Sequence, residues 1–180
     1  MEVNEIEIEK DKDKVLSEHP VLVQKIKSRF GKSIVETVIF RGEITHVIET
    51  RDIADVCSFL KYDQDFQFNF LSDLIGTDCR PLNSFFEVVY QLYSIPYKYR
   101  IRLKVRVKEG EHVPSVTSVW QCANFAEREA FDMVGVVFDG HPDLKRIYMP
   151  PDWEGYPLRK DYPLVGYKDE YNPCGVEKKQ

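Results

Sequence analysis

The chain has 180 residues, 43% of them hydrophobic, 13% aromatic and 31% charged, with a formal net charge of −5. A chain of this length buries roughly 70% of its unfolded surface without a metal or disulfide staple, and the composition excludes disordered and fibrous classes. The acidic balance argues against wholesale wrapping of nucleic acid, and no run of about 18 apolar residues exists to form a membrane-spanning helix.

Residues 1–14 read as a charged leader rich in Glu2, Glu5, Glu7, Glu9, Asp11 and Asp13. A secretory n-region is basic and a mitochondrial presequence is Arg-rich, so residence in the compartment of synthesis is expected. Cys57, Cys79, Cys122 and Cys174 stand 22, 43 and 52 residues apart, with no C-x-x-C pair. Reduced, largely structural thiols are expected.

The α+β body is predicted over 15–135. Apolar residues at 22, 23, 26 and 30, closed by Gly31, predict a helix over 19–29. Alternating runs at 33–40 and 44–49 around Arg41-Gly42-Glu43 predict a hairpin. Asp52 offers an N-cap for a helix over 53–61, with Ile53, Val56, Phe59 and Leu60 on one side. Strands are predicted at 66–70 and 85–90, separated by Arg80-Pro81-Leu82-Asn83. The run 98–108 alternates without exception, placing Tyr99, Ile101, Leu103, Val105 and Val107 on one face and six cations on the other. Ser118 and Gln121 suggest a capping box for a helix reaching Met133 and ending at Gly135. The order α-β-β-α-β-β-β-α predicts a two-layer domain, with helices on one face of a mixed, mostly antiparallel sheet.

Residues 136–180 carry six of the ten prolines, which leave no room for a regular helix or central strand. Yet Tyr148, Trp153, Tyr156, Tyr162, Tyr167 and Tyr171 are unlike a disordered tail. An extended arm ordered against a partner or against the body is expected.

Candidate chemistry is sparse. Neighbouring cations along 98–108 repel by roughly 0.6 kcal/mol in water, and Asp65 and Glu87 on adjacent segments are the expected counter-charges. An acidic partner or an RNA backbone would answer them too, the latter making the chain a nucleic-acid-binding module. Arg128 and Asp132 have i, i+4 spacing, and Glu127 to Asp132 reads as a solvated helix face, with Glu127 and Glu129 pointing apart. His141 reads as a turn residue rather than a metal ligand, and Arg159-Lys160-Asp161 lacks the Gly-rich loop of a phosphate site. No catalytic dyad, P-loop or dinucleotide fingerprint is present.

Taken together, Glu127-Arg128-Glu129-Ala130-Phe131-Asp132-Met133-Val134-Gly135, the following Gly140-His141-Pro142-Asp143-Leu144-Lys145-Arg146-Ile147, and the block Asp152-Trp153-Glu154-Gly155-Tyr156-Pro157-Leu158-Arg159-Lys160-Asp161-Tyr162-Pro163 form a longer pattern. It resembles the 30-kDa-subunit family, the C subunit of respiratory complex I (NADH–quinone oxidoreductase); Val134 stands where that family usually has an aromatic. The resemblance implies a hydrophilic-arm subunit that supports the quinone-reducing module in electron transfer from NADH to quinone coupled to proton translocation. It implies no catalytic, cofactor or metal residue in this chain, with FMN, iron–sulfur clusters, NADH and quinone held by other subunits. Glu127, Arg128, Glu129, Asp132, Gly135, His141, Pro142, Lys145 and Arg146 would maintain the junction that launches the arm. Trp153, Pro157, Arg159, Lys160, Asp161 and Tyr162 would dock on a partner, chiefly the large D subunit. Location would be peripheral, on the cytoplasmic face of the bacterial membrane, with membrane association only through the complex. Equivalent subunits occur in membrane-bound hydrogenases and in dehydrogenases with other electron donors, which this sequence alone does not separate.

Overall fold

A computed structural model describes residues 20–80, 82–168 and 172–177; the leader 1–14, His19, Pro81 and Tyr171 lie outside the described residues. The elements run α1 (Pro20–Phe30), β1 (Ile34–Phe40), β2 (Glu43–Ile48), a 3-10 turn (Thr50–Asp52), α2 (Ile53–Tyr62), β3 (Phe70–Asp78), β4 (Phe86–Tyr93), β5 (Arg100–Val107), β6 (His112–Pro114), α3 (Ala123–Val134) and β7 (Val137–Asp139). The main sheet has the order β1-β2-β5-β4-β3, with β2 and β5 parallel and the other pairs antiparallel. This is the predicted α+β class with a mixed, mostly antiparallel sheet.

The hairpin turn places Arg41 and Gly42 at φ of 50° and 77°, the two positive dihedrals of a turn matched to strand twist. Strand β5 keeps the predicted alternation: Ile101, Leu103, Val105 and Val107 join one core cluster with Tyr90 and Leu92 of β4, Val56 and Leu60 of α2, and Ala130 and Val134 of α3. The strand itself holds four of the six cations, since Lys98 (φ 57°) and Lys108 fall beyond its ends. Glu87 of β4 pairs with Lys104 at 2.8 Å and Arg106 at 3.3 Å, Glu36 with Arg106 at 3.0 Å, and Glu43 with Arg102 at 2.7 Å. Asp65 does not take part; it binds Lys25 at 2.6 Å.

Two other expectations change. The predicted strand at 66–70 is a turn that closes α2: Phe66 and Gln67 donate to Asp63 O, Phe68 donates to Leu60 O, and Gln67 sits at φ 43°. The alternating phenylalanines serve a ring cluster, Phe59 to Phe66 to Phe68, and the strand starts where they end. Similarly, Ser118 caps nothing; residues 116–123 form tight turns that bury Val116, Val119 and Trp120, and α3 begins at Ala123 with no side-chain cap. Asp52 likewise precedes α2 without a side-chain cap.

The chain stays in the body past residue 135. Strand β7 pairs in parallel with β6, and Val136 and Phe138 are buried in the core. Val134 is itself buried, 3.7 Å from where a side chain on Gly76 would project. All four cysteines are free.

Candidate functional site at the helix–arm junction

Helix α3 buries one face against β3, at Gly76, where an added Cβ would come within 2.9 Å of the Ala130 Cβ. Glu127 and Asp132 of this helix are both fully buried, so the expected solvated face is only partly solvated. Asp132 makes no pair with Arg128. Its Oδ2 accepts N–H bonds from Ile147, Tyr148 and Met149 at 2.9, 2.7 and 3.0 Å, and its Oδ1 accepts from Arg146 Nη1 at 2.7 Å. Burial works to raise the Asp132 pKa, but these four donors win and hold it below the ordinary carboxyl value.

Arg146 spreads one guanidinium over four acceptors. Besides Oδ1 it donates to Asp132 O at 3.0 Å, to Trp153 O at 3.1 Å and to Gly155 O at 2.9 Å, bending the chain from 146 to 155 around itself. Arg128 donates to Lys145 O and Arg146 O, holding the same loop from the helix side. His141 donates from Nε2 to Asn124 O at 3.1 Å and accepts from Asp143 N–H at Nδ1, the turn role predicted for it. Pro142 is exposed in that turn, Lys145 pairs with Asp143 at 2.8 Å, and Glu129 accepts from the Tyr148 hydroxyl at 3.3 Å.

Glu127 is different in kind. It accepts from Val116 N–H and Ser115 Oγ, each at 2.7 Å, with no cation paired to it among the described residues. Burial therefore raises its pKa, and the hydrogen bonds and distant His141 only oppose this.

The predicted docking residues divide. Arg159 turns back onto the body: Nε donates to Val134 O at 2.6 Å, Nη1 pairs with Glu109 at 2.7 Å, and the guanidinium lies 4.3 Å from the Tyr156 ring centre and 4.9 Å from that of Phe86. Gly135 makes this possible, with φ 85° and a vacant Cβ position 2.6 Å from Arg159 Nη2 and from Tyr156. Lys160 donates its backbone N–H to Asp78 at 2.8 Å, and Asp161 meets Arg80 at 3.3 Å. Tyr162 packs edge-on against Tyr167, while Trp153 and Pro157 are half-buried, the indole Nε1 without an acceptor among the described residues. Leu158, Leu164 and Val165 point outward.

Two residues of this junction, Asp78 and Glu109, carried no sequence signal; Arg80 stands out in the sequence only as part of a break between strands and Tyr156 only as one of the arm's aromatics. Asp78 and Arg80 lie at the end of β3, more than 70 residues before the arm they hold. Burial works to raise the Asp78 pKa, yet bonds from Arg80 and from the Lys160 and Arg80 amides bring it down to about 2. The arrangement is a fastening, rich in charge-assisted hydrogen bonds. Among the described residues no group of three or more His, Cys, Asp or Glu side chains is placed to hold a metal ion, and no helix is long and apolar enough to cross a membrane.

Residues 46–168 match the family described as respiratory-chain NADH dehydrogenase, 30 Kd subunit. NADH-quinone oxidoreductase C subunit 2 of Rhizobium meliloti (strain 1021) is 47% identical over 160 residues, covering 89% of this chain and 88% of that protein. The NADH-quinone oxidoreductase C subunit of Geotalea uraniireducens (strain Rf4) is 45% identical over 152 residues, covering 84% and 92%. Among solved structures, a chain of the membrane-bound sulfane sulfur reductase, an archaeal respiratory membrane complex, superposes with a TM-score of 0.70 at 21% identity over 82% of this chain and 87% of that one, a likeness of fold.

Proposed function

Because the chain belongs to the 30-kDa subunit family of respiratory-chain NADH dehydrogenase, we propose that it acts in NADH–quinone oxidoreductase as a structural subunit whose arm fastens the quinone-reducing module to its neighbours. It is a subunit of that enzyme complex, and its partners are other subunits of the complex. The finer reading is that the arm lies chiefly along the large D subunit, that the assembly sits on the cytoplasmic face of the membrane, and that FMN, iron–sulfur clusters, NADH and quinone are handled by other chains.

The carrying observation is the junction at Asp132. A buried carboxylate that organises three amides and an arginine is machinery for fixing the direction of a segment. Direction matters only if the segment has somewhere to go. Leu164 and Val165, exposed at 104% and 61%, offer the apolar contact that a partner surface would bury. Arg159 supports docking indirectly, by rooting the arm. The nucleic-acid reading loses its basis, because Arg102, Lys104 and Arg106 are already paired with carboxylates.

The test is affinity isolation of the complex in mild detergent from cells carrying Leu164→Asp with Val165→Asp. Loss of the D subunit from the isolate, with the chain still folded, supports the reading. Full recovery of the complex sinks it.

A further inference from the structure

A second contact surface adjoins the fastening, where α3 meets the edge of the sheet. Between the edge strand β3 and α3 is a cavity of about 120 Å³, walled by Ile75, Gly76, Met133 and Leu158 and flanked by Asp73 and Glu129. By the volume a water occupies in the liquid it would hold about four of them, a size suited to one extended side chain. Its wall is apolar and its charges have one sign. No lysine or arginine lines it, and neither Asp73 nor Glu129 forms an ion pair among the described residues. Among the described residues Asp73 accepts only the N–H of Leu74, and Glu129 only the Tyr148 hydroxyl.

The surround is apolar too. Phe125, one turn before Glu129, is 66% exposed, Tyr148 60%, Leu158 59% and Ile75 41%. A soluble surface seldom gathers these around unpaired carboxylates unless something covers them. β3 pairs only with β4 and stands at the sheet's edge, so an incoming segment can reach the cavity. Leu158 is also part of the arm, so the cavity adjoins the proposed docking segment.

We propose that this cavity is a socket for a single lysine or arginine side chain on a neighbouring subunit of the complex. The methylene stem lies along Met133 and Leu158 and the cationic head settles between Asp73 and Glu129. Charge complementarity selects that occupant over an apolar or acidic one, because Asp73 and Glu129 are exposed and an apolar side chain over them would take their water away without supplying a counter-charge. A small free cation would leave the apolar walls without a partner. The proposal rests on the family-based reading that the chain sits in the complex.

The experiment uses the whole complex. The photo-reactive residue p-benzoylphenylalanine is placed at position 75 of the tagged chain, the isolated complex is irradiated, and the captured peptide is identified by mass spectrometry. In parallel, retention of Asp73→Asn with Glu129→Gln is followed through a salt series. The expected result is capture of one segment of another subunit bearing a lysine or arginine, with the neutral variant binding about 30-fold more weakly. Capture of a segment lacking any cationic residue, capture of a second copy of this chain, or retention of the neutral variant at wild-type strength overturns the socket. So does a wild-type chain held in the complex with no capture at position 75. Absence of the wild-type chain from the isolated complex overturns the underlying family reading instead.

Discussion

Asp132 shows how one side chain can set the course of a segment. Its four donors come from a loop more than a dozen residues beyond it, so the helix end and the arm's root share one carboxylate. Asp132→Ala leaves the largely buried Arg146 without its counter-charge. Urea unfolding should register a loss of about 3 kcal/mol, and a loss under about 0.5 kcal/mol would contradict the role given to it. Gly135→Ala asks a side chain to adopt φ 85° and to occupy space held by Arg159 and Tyr156. The left-handed backbone alone costs roughly 1–2 kcal/mol, and limited proteolysis of the variant should cut the arm faster than it cuts the body. At this scale helix-stop chemistry pointed to Gly135, while Arg146 was reached only through family resemblance. Spacing on the helix suggested an Arg128–Asp132 pair, because it says nothing about a partner that arrives from a loop.

Among the elements, legibility followed the length of the pattern. Strand β5 was readable because its alternation persists for more residues than chance allows, and its counter-charge Glu87 could be guessed from the neighbouring strand. β3 was misplaced because Phe66 and Phe68 alternate for the sake of a ring cluster, which mimics a strand over five residues. The 3-residue strand β7 was invisible: three residues are too few to show a period, and its pairing with β6 is parallel and remote in sequence. The charge mesh on the outer face has its own consequence. Glu87→Gln leaves Lys104 and Arg106 facing each other across a neutral amide, and since Glu87 is buried the fold should lose about 1–2 kcal/mol in thermal unfolding.

The whole molecule carries opposed pH responses. His46 is buried, its Nδ1 bonded to the Thr37 hydroxyl, and burial, with a smaller push from Lys27, lowers its pKa from 6.5 to about 4. The unfolded chain therefore binds a proton that the folded chain refuses, and about 3 kcal/mol of stability, present above pH 6.5, is lost as pH falls toward 4. Asp78, held at about 2, adds a further loss of about 2 kcal/mol between pH 4 and 2. Glu127 acts in the reverse sense. Its raised pKa means the folded chain holds the proton longer, so stability from this residue is full in acid and declines as pH rises past the ordinary carboxyl value. Unfolding curves across pH should show His46→Leu removing the slope between 6.5 and 4, and Glu127→Gln removing a decline at higher pH. A His46→Leu curve with the same slope as wild type between pH 6.5 and 4 would refute the first.

The carboxylate at Asp132 also sets a clock. The amides of Ile147, Tyr148 and Met149 lie in a loop with no regular secondary structure, where exchange with solvent deuterium is ordinarily quick. Bound to a buried acceptor that belongs to α3, they are expected to open together with that helix. Their exchange should therefore run at the pace of the helix rather than of the loop around them. By that measure the body of the protein extends, in cooperative terms, through Met149, well beyond the last turn of its last helix.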